Sequence, residues 1–231
     1  MSADPELARI KAEYERRARE IPGGFYDFDR PANLFALHGR ERALRDALAW
    51  HGALPLANRT VLEIGCGAGE WFNTFGRLGL PAQHQFGIEL NSARAADAKA
   101  AFPLASIVNG DATRLPWPDA RFDLVFQSTV FTSVLDPQMK QRLASEMLRV
   151  LKPGGAVLWY DFVYDNPFNR QVKGVSVREV KQLFGARASR FYRVTLAPPL
   201  ARRLVPLSWP LASALEQLKL LNTHVLGVLV P

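Results

Sequence analysis

The spacing of apolar residues changes character along this chain. Charged residues dominate from Pro5 to Glu20, and Asp4-Pro5 supplies an N-cap followed by a first-turn proline. This predicts a helix that Ile-Pro-Gly-Gly ends at 21–24. Leu34, Leu37, Leu44 and Leu48 then recur at helical intervals across 33–51, until Gly52 and Pro55 interrupt the pattern. From Val61 onward, short β-rich runs at 61–64, 86–90, 106–110, 122–127 and 156–162 alternate with longer helical ones. Met139, Leu143, Met147, Leu148 and Leu151 form one stripe across 138–151, which Lys152-Pro-Gly-Gly closes, and 175–184 predicts another helix. Candidate strands at 191–198 and 224–230 flank a helical segment broken by prolines. Alternation of this kind predicts an α/β fold around a parallel sheet.

Composition adds few constraints. At 231 residues, 48% hydrophobic and 22% charged, the chain is long enough to bury about 70% of its unfolded surface and is too apolar for disorder. Cys66 is the one cysteine, so neither an intramolecular disulfide nor a cysteine metal cluster is available, and no metal is expected. The N-terminal twenty residues lack the apolar middle of a secretory signal, and no run of about 18 apolar residues occurs. The expected location is the cytoplasm. Charge is uneven: residues 170–231 hold ten Lys/Arg against Glu179 and Glu216, whereas residues 1–169 hold 19 against 20 acids.

The chemistry centres on VLEIGCGAGEW at 61–71, where Gly65, Gly67 and Gly69 follow a short apolar run. A glycine turn between strand and helix lets the backbone approach a ligand, and the helix N-terminus offers free N–H groups. A dinucleotide fingerprint requires Gly or Ala where this chain has Glu70, and an acid there repels a pyrophosphate. The spacing instead suits a nucleoside ligand with no phosphate to cradle, such as an adenosyl sulfonium.

In this stretch and three that follow it in order, the sequence resembles a class I S-adenosylmethionine-dependent methyltransferase over about 56–165. VLEIGCGAGEW is similar to the family's first motif. FGIELN carries Glu89 at the position that holds both ribose hydroxyls, a task suited to a carboxylate because it accepts two hydrogen bonds at once. NGDATRLPWPDARFDLVF places Asp111 and Ala112 at the adenine, and LRVLKPGGAVLW matches the junction of helix and fifth strand. The resemblance implies a Rossmann-like, doubly wound, mostly parallel seven-stranded sheet with helices on both faces and N-terminal lid helices. It divides the chain into a helical lid, 1–55, and a cofactor-binding domain, 56–231, that includes the basic, apolar C-terminal segment. The cofactor implied is S-adenosyl-L-methionine, held by Glu63, Gly65, Cys66, Gly67, Gly69, Glu89, Leu90, Asp111, Ala112, Gln127 and Ser128.

The acceptor is less legible. Related small-molecule enzymes often carry a histidine pair after the fourth strand, where this chain has Thr132 and Ser133. His38, Tyr160 and Asp161 are the catalytic candidates, His38 from a lid helix and the other two from the end of the fifth strand. His51, His84 and His224 have poorer contexts. The expected reaction is O-methylation of a sugar, glycan precursor or natural product. Arg202 and Arg203 among leucines suit an anionic or lipid-linked acceptor and peripheral membrane contact, set against an ordinary helix with its leucines buried and its arginines wet. A nucleic-acid methyltransferase remains an alternative, disfavoured because no recognition module is evident. A cofactor-binding protein without catalysis is another.

Overall fold

A computed structural model describes residues 4–167 and 169–231. Its helices are α1 (Pro5–Glu20), α2 (Pro31–His51), α3 (Glu70–Arg77), α4 (Ser92–Ala101), α5 (Pro137–Val150), α6 (Val177–Phe184), α7 (Pro198–Leu204) and α8 (Trp209–Leu218). The strands are β1 (Val61–Ile64), β2 (Gln85–Glu89), β3 (Ser106–Asn109), β4 (Phe122–Ser128), β5 (Leu151–Phe162), β6 (Ala188–Leu196) and β7 (Asn222–Val230). They form one seven-stranded sheet in the order β3-β2-β1-β4-β5-β7-β6. The first five are parallel, and β7 runs antiparallel between β5 and β6. The chain winds outward from β1 through β3 and resumes with β4 on the other side of β1, so a crevice opens between them at the strands' carboxyl ends.

Local chemistry explains the boundaries. Asp4 caps α1 by accepting from the Glu6 amide, and Asp136 caps α5 by accepting from the amides of Gln138 and Met139, each cap followed by a proline that needs no N–H partner. α5 ends at Val150, and Leu151 pairs at once with Phe122, so β5 begins earlier than the expected 156. The Lys-Pro-Gly-Gly run lies within an irregular register between those pairs and Ala156 opposite Leu124. It bends the strand instead of stopping it.

Both faces of the sheet are covered. Phe131, Leu143, Met147, Trp159 and Phe184 pack one face with α5 and α6, and the other holds Leu44, Leu48, Phe75, Phe126 and Leu158. α2 contributes Leu44, Ala47 and Leu48 to that second core with none of their surface exposed, so it packs directly on the sheet. α8 reverses the expected polarity. Ala212 and Glu216 are its buried residues, whereas Leu211 and Leu218 are 51% and 63% exposed.

Candidate functional site

The turn after β1 requires its glycines. Gly65 and Gly67 have φ of 67° and 57°, a region disfavoured for residues with a side chain. A Cβ on Gly65 would also lie 2.5 Å from a Val130 methyl. Gly67 donates its amide to Glu89 Oε2 at 2.8 Å, and Glu89 Oε1 accepts from the Asn91 amide at the same distance. The acid at the end of β2 therefore holds the glycine turn and the start of α4 together.

A cavity opens beside this arrangement, with Gly65, Glu89, Leu90, Asp111 and Ala112 along its wall. Leu7, Ile10 and Tyr14 of α1 close it from the opposite side. α1 is fastened there by polar contacts: Glu6 Oε1 accepts from the amides of Leu135 and Asp136, and Arg9 donates to the Ser133 carbonyl at 2.6 Å. Arg9, bonded to Glu6, and those two amides hold the Glu6 carboxyl down at about 2. The cavity fits an adenosyl group. Glu89 retains lone pairs beyond its two amide bonds, the bare Cα of Gly65 leaves room for close approach, and apolar Leu90 and Ala112 suit an aromatic base. Asp111 reaches the cavity, but its carboxylate already caps the Thr113 amide and hydroxyl at 2.8 and 2.7 Å, leaving less of it for an adenine.

Other predicted cofactor residues stand behind this wall. Cys66 packs with Phe72, Ala98 and Ile107, and burial pushes its thiol far above the usual range. Gly69 caps α3. Gln127 is fully buried and accepts from the Val130 amide, and half-buried Ser128 ends β4. These two shape the turn into Phe131–Ser133, whose Ser133 lines the cavity. Glu63 is 1% exposed, and its Oε2 has no hydrogen-bond partner. Burial, with Glu70 and Glu89 nearby, raises its carboxyl well above the ordinary value.

A second cavity lies beside Glu70 at the start of α3, where β5 and β6 end and β7 begins, against α2 and α7. Arg40, Glu70, Tyr160, Thr195 and His224 supply its polar wall, and Tyr26 and Phe28 flank them. His224 stacks on Tyr160 with 5.2 Å between ring centroids and 15° between planes. The Tyr160 hydroxyl lies 2.8 Å from Thr195 Oγ1, and Thr195 adopts φ 63°, costly for a β-branched residue. Burial and the charge of Arg40 lower His224 to about 4, so the imidazole is neutral near pH 7. Thr223 Oγ1 donates to the Thr195 carbonyl and lies 2.9 Å from His224 Nδ1. In the tautomer in which Nδ1–H donates to this hydroxyl, Nε2 carries the ring's free lone pair.

The catalytic candidates separate accordingly. Tyr160 faces the second cavity. Asp161, the next residue on β5, points the other way, is fully buried, and accepts from the Thr132 hydroxyl at 2.7 Å and amide at 3.3 Å. Burial raises it to about 7 despite these bonds. It anchors the Phe131–Ser133 turn and lines neither cavity. His38 is exposed on α2, its ring 5.9 Å from that of Trp209, and also lies outside both. Of the three catalytic candidates, only Tyr160 lines one of the two cavities. His224, set aside in the sequence for its poorer context, reaches this cavity because β7 pairs beside β5 across more than 60 residues, and a polar residue opening a strand is a weak signal; Arg40 carries no local signal on its helix.

Comparison with known proteins agrees with this architecture. A methyltransferase-domain family matches residues 62–159. A methyltransferase of Mycobacterium sp. strain KMS is 32% identical over 83% of this chain and 73% of its own length. A fatty-acid O-methyltransferase of Mycolicibacterium smegmatis is 38% identical over 45% of this chain and 37% of its own. A phthiotriol/phenolphthiotriol dimycocerosates methyltransferase of Mycobacterium ulcerans is 33% identical over 56% and 48%. Among solved structures, a methyltransferase from Archaeoglobus fulgidus aligns over 85% of this chain and 98% of its own with a TM-score of 0.56 at 18% identity. The ordered motifs, the sheet and these relatives together establish that the chain belongs to the class I S-adenosylmethionine-dependent methyltransferases, with S-adenosyl-L-methionine as its cofactor.

Proposed function

We propose that the enzyme methylates a hydroxyl of a small, partly apolar acceptor bound in the second cavity, a lipid-linked or glycan-precursor alcohol being the class that best suits its wall. The observation that carries this reading is the stacked Tyr160–His224 pair beside Thr195, where β5 and β6 end and β7 begins, in a cavity that Glu70, the residue after the glycine turn, also lines.

S-adenosylmethionine supplies an already activated methyl, so the chain's main task is to align the acceptor, an effect worth up to about 7–11 kcal/mol in well-oriented systems. Thr195 and Tyr160 offer hydroxyls to orient an alcohol. The bound cofactor would supply its methyl to the acceptor oxygen, sulfur keeping the electron pair of the S–CH3 bond, and His224 Nε2 would take the proton that the acceptor's O–H gives up. An alcohol gaining a methyl becomes strongly acidic, so a base as weak as this buried imidazole suffices, and its neutral state at pH 7 keeps the lone pair available.

The aromatic flank formed by Tyr26 and Phe28 supports an apolar acceptor, and the two relatives named for fatty-acid and phthiotriol methylation point the same way. The test supplies cofactor labelled in its methyl to the pure protein together with lipid and polar extracts of its source. Label stable to mild alkali is the expected result, because an ether resists hydrolysis. Label released by alkali as methanol would show a carboxylate acceptor and overturn the hydroxyl reading.

A further inference from the structure

α8 and its flanks show a surface of inverted polarity. Leu211 and Leu218, seven residues apart, share the face turned to solvent, with Leu207 before the helix and Leu220 and Leu221 after it 83%, 78% and 47% exposed. The acid of the same helix is inside: Glu216 is buried, accepts from Arg42 at 3.1 Å, and has Oε1 without a partner. Burial raises its carboxyl above the ordinary value. A water-facing helix places such residues the other way round. Between residues 197 and 221 Glu216 is the one acid, whereas Arg202, Arg203 and Lys219 are all exposed. The surface thus combines apolar side chains with positive charge and presents no carboxylate.

We propose that this surface docks on an anionic lipid bilayer, its leucines entering the acyl boundary and Arg203 and Lys219 meeting the headgroup phosphates. Charge complementarity favours a lipid surface over a second copy of this basic chain, which would bring like charges together. Among the described residues no helix is long and apolar enough to cross a membrane, so attachment is peripheral. The position has a functional consequence. Pro198, Ala201 and Arg202 of α7 line the second cavity, and α7 leads directly into the leucine-bearing segment. The acceptor cavity therefore lies beside the docking surface, and a lipid-borne acceptor passes from bilayer to cavity without crossing water.

Co-sedimentation tests this with the full chain and two vesicle types, equimolar phosphatidylglycerol/phosphatidylcholine and phosphatidylcholine alone. Wild-type protein is expected to bind the anionic vesicles at least about tenfold more tightly and to be released as salt shortens the screening length. Leu207→Ser/Leu211→Ser/Leu218→Ser and Arg203→Ala/Lys219→Ala are each expected to weaken binding about tenfold, since both apolar insertion and charge contribute. Calorimetric binding of S-adenosylhomocysteine verifies that each variant is folded and keeps this result separate from the acceptor reading. Negligible sedimentation of wild-type protein overturns the proposal. So does full binding by the leucine variant, or a wild-type dimer that this variant converts to monomer in the ultracentrifuge.

Discussion

The carboxylate of Glu89 accepts the Gly67 amide at 2.8 Å, tying the end of β2 to the glycine turn after β1. One side chain thus supports the turn and faces the adenosyl cavity. Replacing Glu89 with alanine should weaken cofactor binding about 100-fold or more, as two charge-assisted hydrogen bonds are lost. It should also lower the melting temperature, because the Gly67 and Asn91 amides lose their acceptor at a cost of about 1–3 kcal/mol. Calorimetry with S-adenosylhomocysteine and thermal denaturation check the two effects separately. Retention of affinity within a factor of two would contradict the assigned role.

Dinucleotides should be rejected. Glu70 opens α3 where a pyrophosphate would approach, its side chain is 59% exposed, and the nearest Arg40 nitrogen is 4.0 Å away. Calorimetric titration should show S-adenosylmethionine binding and no NAD binding at millimolar concentration. NAD binding of comparable strength would undo the argument from the turn.

His224→Gln should reduce kcat by about 10²–10⁴-fold while leaving cofactor affinity intact, the range expected for loss of a positioned base. The residue also predicts a pH effect on stability. Its folded pKa of about 4 lies below the ordinary imidazole value of 6.5, so the unfolded chain binds the proton more readily. Stability is then retained above about 6.5 and lost as pH falls toward 4. Chemical denaturation between pH 4 and 7 should show this loss in wild-type protein and a shallower one in the variant.

Asp161 has the opposite sign. Its folded pKa is raised to about 7 from 3.8, so the folded state keeps a proton that the unfolded chain has released. That contribution is present in full below about 3.8 and is lost as pH rises through 7. Asp161→Asn should flatten the decline in melting temperature between pH 5 and 8. An unchanged slope would mean that another group governs it.

How much of this was legible follows from the range of each interaction. The glycine turn, Glu89 and the stripe of α5 stood out because their patterns are local: a buried parallel strand reads as an unbroken apolar run, and a capped amphipathic helix repeats every three to four residues. That Asp161 and His38 lie away from both cavities is something a linear pattern cannot resolve. Along β5 adjacent residues face opposite sides, so Tyr160 reaches the second cavity while Asp161 turns to the Phe131–Ser133 turn. His38 and Arg40 are two residues apart on α2, and helical rotation leaves one in solvent and the other at the cavity. The solvent-facing leucines of α8 defeated the usual assumption that a sheet-covering helix buries its apolar side.

The docking of α1 bears on the rhythm of turnover. Leu7, Ile10 and Tyr14 form one whole wall of the adenosyl cavity, and the helix is held by the Glu6 and Arg9 contacts to the Leu135, Asp136 and Ser133 backbone. A product that left past α1 would have to part these contacts, so their strength would bear on the dwell time of S-adenosylhomocysteine and, where the chemistry is swift, on the pace of turnover. With Glu6 held at about 2, its carboxylate stays charged as pH falls towards that range, so on that route acid alone would not loosen the clasp at this residue.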